Sequence, residues 1–184
     1  MEPMDNVALI ALLQESVPGA QLEDAPGIDL QPTIYVARHA LPAIVRRLRE
    51  DTRLAFDFLA ELTAVDYFPR EPRFEVVYVI VSIEHRTRLR VKVRLHGDAA
   101  HLATVTGIWP AANWLEREVW DLFGVEFDGH PDPRRLLMPD NWEGYPLRKD
   151  YPVQIKMAPK TIEPLQVTEE QFRANLERDR LTRR

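Results

Sequence analysis

The acidic side chains of residues 111–123, AANWLEREVWDLF, are the first candidates for chemistry. Glu118 and Asp121 are three residues apart, which puts them on one face of a helix. Two carboxyls a few ångströms apart can run glycoside-type hydrolysis, one as acid and the other as base or nucleophile. The same spacing also makes an ordinary charged helix. Arg117 precedes Asp121 by four residues, the pairing distance, and Glu116 and Glu118 lie near the helix start, where the dipole favours carboxylates. The spacing therefore predicts a salt-bridged, solvated helix surface rather than a catalytic pair.

His130 and Asp132 could seed a metal site, but the chain has five histidines and no two are four residues apart. Gly129-His130-Pro131-Asp132 reads more simply as a turn held by side-chain hydrogen bonds. A free-standing carboxylate or metal hydrolase built on Glu118, Asp121 and His130 is the alternative from a different class. The cations Arg134-Arg135, Arg148-Lys149 and Arg88, Arg90, Lys92, Arg94 could bind phosphate. There is, however, no G-x-x-x-x-G-K and no G-x-G-x-x-G among only seven glycines. The cations of 88–95 read as a solvated strand face or as a docking face for an acidic protein. Trp109, Trp114, Trp120 and Trp142 lie among acidic neighbours, which suits helix packing or a protein interface better than stacking on nucleic acid.

Composition narrows this further. The chain has 184 residues, is 45% hydrophobic and 29% charged, and carries a formal net charge of −5. That is one soluble domain, or one with an appendage, without the basic excess of a general nucleic-acid binder. It has no cysteine, which removes disulfides, thiolate nucleophiles and thiolate-held zinc or iron–sulfur clusters and fits a reducing compartment. Glu2 and Asp5 stand where a secretory signal would be positive. The longest apolar runs, Val7–Leu13 and Val76–Val81, are far short of the roughly 18 residues that span a bilayer.

These residues are positioned by a short series of elements. Asp5 is a suitable N-cap for a helix with Val7, Ile10, Leu13 and Val17 at helical spacing. Residues 20–32 read as loop and Thr33–Ala37 as a strand. Leu41, Ile44, Val45 and Leu48 mark an amphipathic helix that begins at Pro42. A strand is expected around 62–67. Phe74–Ser82 is apolar on both faces, as in a strand covered on both sides. Arg88–Leu95 alternates, with Leu89, Val91, Val93 and Leu95 on one face and the four cations on the other. The short link predicts an antiparallel hairpin. Residues 111–123 form a helix stopped by Gly124. Seven prolines from Pro131 to Pro164 then exclude regular structure. Thr168 and Gln171 form a capping-box pattern for a helix over 169–181. The fold expected is α+β: a mostly antiparallel sheet with helices packed mainly on one side, spanning residues 1–150. A proline-rich extended C-terminal arm, 151–184, follows and is expected to run over a neighbouring protein.

Residues 113–152, NWLEREVWDLFGVEFDGHPDPRRLLMPDNWEGYPLRKDYP, closely resemble the signature of the 30-kDa (C-type) subunit family of NADH-quinone oxidoreductase, respiratory complex I. The matching positions include Glu116, Arg117, Glu118, Asp121, Gly124, His130, Pro131, Arg135, Trp142, Gly144, Arg148, Lys149 and Asp150. The likeness extends over about residues 33–152. Two positions depart from it: Pro133 replaces an aliphatic residue, and Tyr145 a frequent histidine. The resemblance implies a hydrophilic docking subunit of the peripheral arm, on the cytoplasmic side of a bacterial inner membrane. It implies no catalytic, cofactor or metal residues on this chain, since FMN, iron–sulfur clusters and quinone belong to other subunits of complex I. It implies the 49-kDa-type (D) subunit and the B and I subunits as partners. An equivalent subunit of a ferredoxin- or F420H2-linked quinone reductase, or of a membrane-bound hydrogenase, remains open.

Overall fold

A computed structural model describes residues 6–25, 29, 31–152 and 168–174. The chain divides into two units, residues 1–151 and 152–184. The first is an α+β body. Helix α1 (Asn6–Ser16) leads into strands β1 (Leu22–Asp24) and β2 (Thr33–Val36). A 3-10 turn (Arg38–Ala40) enters helix α2 (Leu41–Glu50), which is followed by strands β3 (Phe58–Asp66), β4 (Phe74–Ser82) and β5 (Thr87–Leu95). Strand β6 (His101–Ala103), helix α3 (Ala112–Phe123) and strand β7 (Glu126–Asp128) complete it.

The main sheet has the order β1-β2-β5-β4-β3, and only the β2–β5 pair is parallel. The β4–β5 hairpin is antiparallel, as its short link requires, and runs in unbroken register from Phe74↔Leu95 to Ser82↔Thr87. Alternation sets which face is which. Phe74, Val76, Tyr78 and Ile80 of β4 join Leu89, Val91, Val93 and Leu95 of β5 in one buried cluster with Leu9 and Leu13 of α1, Leu41, Ile44, Val45 and Leu48 of α2, and Ala112 and Val119 of α3. The helices thus cover one face. The cations of β5 stand on the other, away from the core, where Lys92 pairs with Glu75 at 2.8 Å and Arg94 with Glu23 at 2.9 Å.

Several expectations shift. Strand β3 begins at Phe58, not near residue 62, because an irregularity between Leu59 and Glu61 resets its alternation. The expected loop 20–32 contains β1. The two-stranded parallel ribbon β6–β7 leaves no trace in the periodicity, since three residues show no period. Within the first unit helices pack on one face of β4 only; on its other face Glu75 and Val77 are buried by neighbouring side chains, while Val79 and Val81 are half-buried. The Asp5 cap lies outside the described residues, as does the expected arm over 153–167. Residues 169–174 are helical. Their capping box closes reciprocally: the Gln171 amide donates to Thr168 Oγ1 at 3.3 Å, and the Thr168 amide to Gln171 Oε1 at 3.2 Å.

Candidate functional site

The candidate site is helix α3 and the irregular chain from Gly129 to Tyr151 that folds back against it. Gly124 ends the helix in the left-handed region, at φ 72°, and its amide donates to the Trp120 carbonyl at 2.8 Å. A side chain there would be strained by the backbone and would also collide with the Tyr145 ring and the Arg148 guanidinium. The chain can therefore turn and pack closely on the helix end.

What returns is held by charged side chains bonded to main chain. Asp121 is fully buried. Its Oδ2 accepts the successive amides of Leu136, Leu137 and Met138 at 3.0, 2.7 and 2.9 Å, and its Oδ1 accepts Arg135 Nη1 at 2.7 Å. Burial alone would raise its pKa; the amides and Arg135 outweigh that and hold it below the ordinary carboxylate range. Arg135 Nη2 goes on to donate to the carbonyls of Trp142 and Gly144 at 2.9 and 3.3 Å. Arg117 donates from Nε to the Arg134 carbonyl at 2.9 Å and from Nη2 to the Arg135 carbonyl at 3.0 Å. Arg148 grips the helix end through the carbonyls of Phe123 and Gly124. Proline-rich chain has few amides with which to bond itself, so side chains supply the missing bonds.

The far end is tied to the sheet. Asp66, at the end of β3, accepts the Lys149 amide at 2.8 Å and Arg73 at 2.9 Å, and Arg73 also binds Asp150 at 2.6 Å. Burial pushes Asp66 upward, but Arg73 and the amides of Lys149 and Phe68 prevail and bring its pKa to about 2. Trp142 stacks on Tyr151 with ring centroids 6.3 Å apart.

Glu116 is different. It too is fully buried, but it has no cation in hydrogen-bond contact. Its carboxyl accepts the Val105 amide at 2.7 Å and bonds the Thr104 hydroxyl at 2.5 Å. Burial raises its pKa to about 7, against the smaller opposing pull of those two bonds. His130 Nε2 lies 3.9 Å from the carboxyl and bonds the Asn113 carbonyl at 3.1 Å, while Nδ1 accepts the Asp132 amide at 3.0 Å. That network assigns His130 as neutral, with the proton on Nε2. The nearby Tyr78 hydroxyl is buried without a hydrogen-bond partner among the described residues. Glu116 and His130 border a cleft of about 270 Å³, with Glu126, Asp128 and Pro133 at its edge.

The expected solvated, salt-bridged face of 111–123 is thus corrected. Of the three acids only Glu118 is exposed. Asp121 pairs with Arg135 rather than Arg117, and Arg117 turns instead to Asp132 at 3.3 Å and to two carbonyls. Glu118 and Asp121 form no matched catalytic pair, because both Asp121 oxygens are taken up internally. His130 holds a turn, and no cluster of three or more His, Asp and Glu among the described residues could hold a metal ion. Pro131 exposes its ring on that turn, and Gly144 takes φ 79°. Asp66, Arg73 and Thr104 escape a reading of the sequence, because nothing local marks a residue whose partner lies far along the chain.

A family model described as the respiratory-chain NADH dehydrogenase 30 Kd subunit matches residues 34–156. The C subunit of NADH-quinone oxidoreductase from Roseiflexus sp. is 44% identical over 151 residues, 82% of this chain and 86% of that protein. Its counterpart in Geobacter metallireducens is 50% identical over 150 residues, 81% of this chain and 90% of that one. Among solved structures, a trypsin-resistant fragment of Nqo5 is 34% identical with a TM-score of 0.51 and covers 67% of this chain and 98% of the fragment. A chain of the archaeal membrane-bound sulfane sulfur reductase, a respiratory membrane complex, is 30% identical with a TM-score of 0.64, over 79% of this chain and 84% of that one. The matched span takes in the main sheet from Ile34 of β2 onward, α3 and all of the clamped segment, and the chain belongs to the 30-kDa subunit family of respiratory-chain NADH dehydrogenase.

Proposed function

We propose that this chain is a structural docking subunit of the peripheral arm of an NADH:quinone oxidoreductase and carries out no redox step itself. The observation that carries the reading is the use made of the signature. Arg117, Asp121, Arg135 and Arg148 spend their charges on main-chain groups of their own segment. They thereby fix a rigid surface and are themselves taken up in bonds that hold the segment. That surface presents apolar side chains outward: Trp114 and Leu137 are each 60% exposed and Leu147 51%. Fixed apolar anchors on an ordered loop are what a permanent interface requires.

The partners that fit this reading are the 49-kDa-type (D) subunit and the B and I subunits of complex I. FMN, iron–sulfur clusters and quinone are then held by other chains, which accords with the absence of cysteine. The chain would sit on the cytoplasmic side of a bacterial inner membrane, held there through the complex. No helix among the described residues is long and apolar enough to cross a membrane. The likeness to a sulfane sulfur reductase chain supports a second reading, an equivalent subunit in a related complex with another electron donor.

The test is affinity purification of the full chain from membranes of the organism that encodes it. Mass spectrometry of the partners and metal and flavin analysis of the separated protein follow. Recovery in a large complex, loss of that recovery in Leu137→Ser/Leu147→Ser, and a colourless separated protein are expected. A solitary active monomer, or stoichiometric iron, zinc or flavin on this chain, overturns the reading.

A further inference from the structure

We infer that the face of the main sheet on which no helix of the first unit packs is a second, separate docking surface, and that it receives a helix of a partner protein with an apolar stripe and carboxylates along one side of it. This rests on the assembly reading above and adds a surface to it.

The register fixes how that face is laid out. Across β3, β4 and β5, one row holds Phe58, Val81 and Arg88, and the next Glu61, Val79 and Arg90. A third runs Thr63, Val77 and Lys92 and continues to Tyr35 of β2. A fourth holds Val65, Glu75 and Arg94. The columns are therefore sorted. Strand β4 offers three valines in line, strand β3 adds Phe58 and Val65 at its ends, and strand β5 supplies four cations in a row beside them.

A sheet with one face on the core normally alternates apolar inside and polar outside. Strand β4 breaks that rule, since Val77, Val79 and Val81 stand on the face without helices. Val77 is buried among its neighbours at 8% exposure, Val79 and Val81 are half-buried, and Phe58 and Val65 are 50% and 37% exposed, so the open part of the stripe lies at its two ends. β-branched residues suit a strand whichever face they occupy. Three in line with aromatic and aliphatic neighbours nevertheless make a continuous stripe, and a stripe of that kind marks a surface that something covers.

The cation column says what covers it. Arg90, Lys92 and Arg94 are paired within the chain, but Asp29 and Glu23, the partners of Arg90 and Arg94, are themselves 50% and 64% exposed. Such exposed pairs exchange partners at little cost. Arg88, beside Val81, is exposed and has no ion-pair partner among the described residues. A helix lying along β4 with leucine-type side chains on the valines would therefore find guanidinium groups along one flank. Arginine forks match carboxylates in two-point contact. An acidic flank on that helix fits and a basic one is repelled.

The absence of cysteine from the chain makes the test direct. Val65→Cys and Val81→Cys, at the two ends of the stripe, each introduce one thiol without adding charge. Maleimide labelling is followed in the free full-length chain and in the purified complex. The expected result is ready labelling in the free chain and labelling slower by an order of magnitude or more in the complex, at both positions. Arg88→Glu is expected to leave the melting of the free chain unchanged and to make retention in the complex sensitive to added salt. Should Val81→Cys fail to fold, Val65→Cys on the edge strand still decides the question. Equal labelling in the free and assembled protein overturns the inference. So does slow labelling in a free chain that sediments as a dimer, because the occupant is then a second copy. If the chain does not enter a complex at all, it is the assembly reading that fails; if it enters and the thiols stay open, only the sheet face is wrong.

Discussion

The sheet and the clamped segment are two halves of one body that hold their shape by different means. The sheet has paired strands and a core in which Ile34, Val76, Ile80, Val91 and Val93 are completely buried. Its main-chain bonds are local and repeated, and burial of apolar area supplies the driving force. The segment 129–151 has no regular ladder, and much of its surface is exposed. Its order comes from six charged side chains, Asp66, Arg73, Arg117, Asp121, Arg135 and Arg148, each bonded to two or more main-chain groups or to a second charge. Losing one methylene weakens the first kind of structure slightly; losing one carboxylate removes several bonds of the second kind at once.

The largest effect expected follows from that difference. Asp121→Ala leaves three amides and Arg135 without their acceptor and is expected to cost about 3–5 kcal/mol, as for other broken buried ion pairs. Ile80→Ala, in the sheet, falls in a similar range of about 2–5 kcal/mol for a buried large-to-small change. The two separate in hydrogen exchange. Asp121→Ala should deprotect the amides of 136–138 while β4 and β5 stay protected, and Ile80→Ala should lower protection everywhere. Equal, global loss in both variants would show that the halves are one cooperative unit, and the comparison would fail.

A smaller effect distinguishes the two buried acids of α3. Glu116 has a folded pKa of about 7, against 4.5 for the free side chain. Between those values the unfolded chain releases the proton while the folded chain keeps it. Stability therefore falls as pH rises from about 4.5 to 7, by a total of about 3 kcal/mol, and is flat above that. Glu116→Gln, which keeps an acceptor for the Val105 amide, is expected to remove that slope. Denaturant unfolding of both proteins between pH 4.5 and 8 measures it, with His130 as the other group facing the carboxyl. An unchanged slope in Glu116→Gln would assign it elsewhere. The smallest effect is at the exposed acid: Glu118→Gln should change stability by no more than about 0.5 kcal/mol. A larger loss in thermal unfolding would mean that this face of α3 is not solvated in the way its neighbours suggest.

The sheet is legible in the sequence where its period is long. Of the nine-residue strands, β5 shows its alternation plainly and β4 shows itself as an unbroken apolar run, and α2 shows Leu41, Ile44, Val45 and Leu48 at helical spacing. The three-residue strands β1, β6 and β7 carry too few positions for any pattern. The segment is legible only by resemblance. Its signature residues can be named, but the local rule of i to i+4 pairing joins Arg117 to Asp121, whereas the folded chain joins Asp121 to Arg135, 14 residues on. Asp66 and Arg73 are silent for the same reason: Lys149 lies 83 residues from Asp66 and Asp150 lies 77 from Arg73. A helix period reports on the nearest turn, and no period reports on a carbonyl across the molecule.

The grip of Arg117 also bears on how the protein meets a protease. By residue type Arg134 and Arg135 are trypsin sites in the segment, and the Arg134 side chain is 78% exposed. The carbonyls that the enzyme would have to polarise are the two that Arg117 holds, at 2.9 and 3.0 Å. A scissile carbonyl must leave such bonds and enter an oxyanion hole before it can be attacked. Cleavage after either arginine therefore waits for the segment to let go of α3, and the rate of nicking counts those openings.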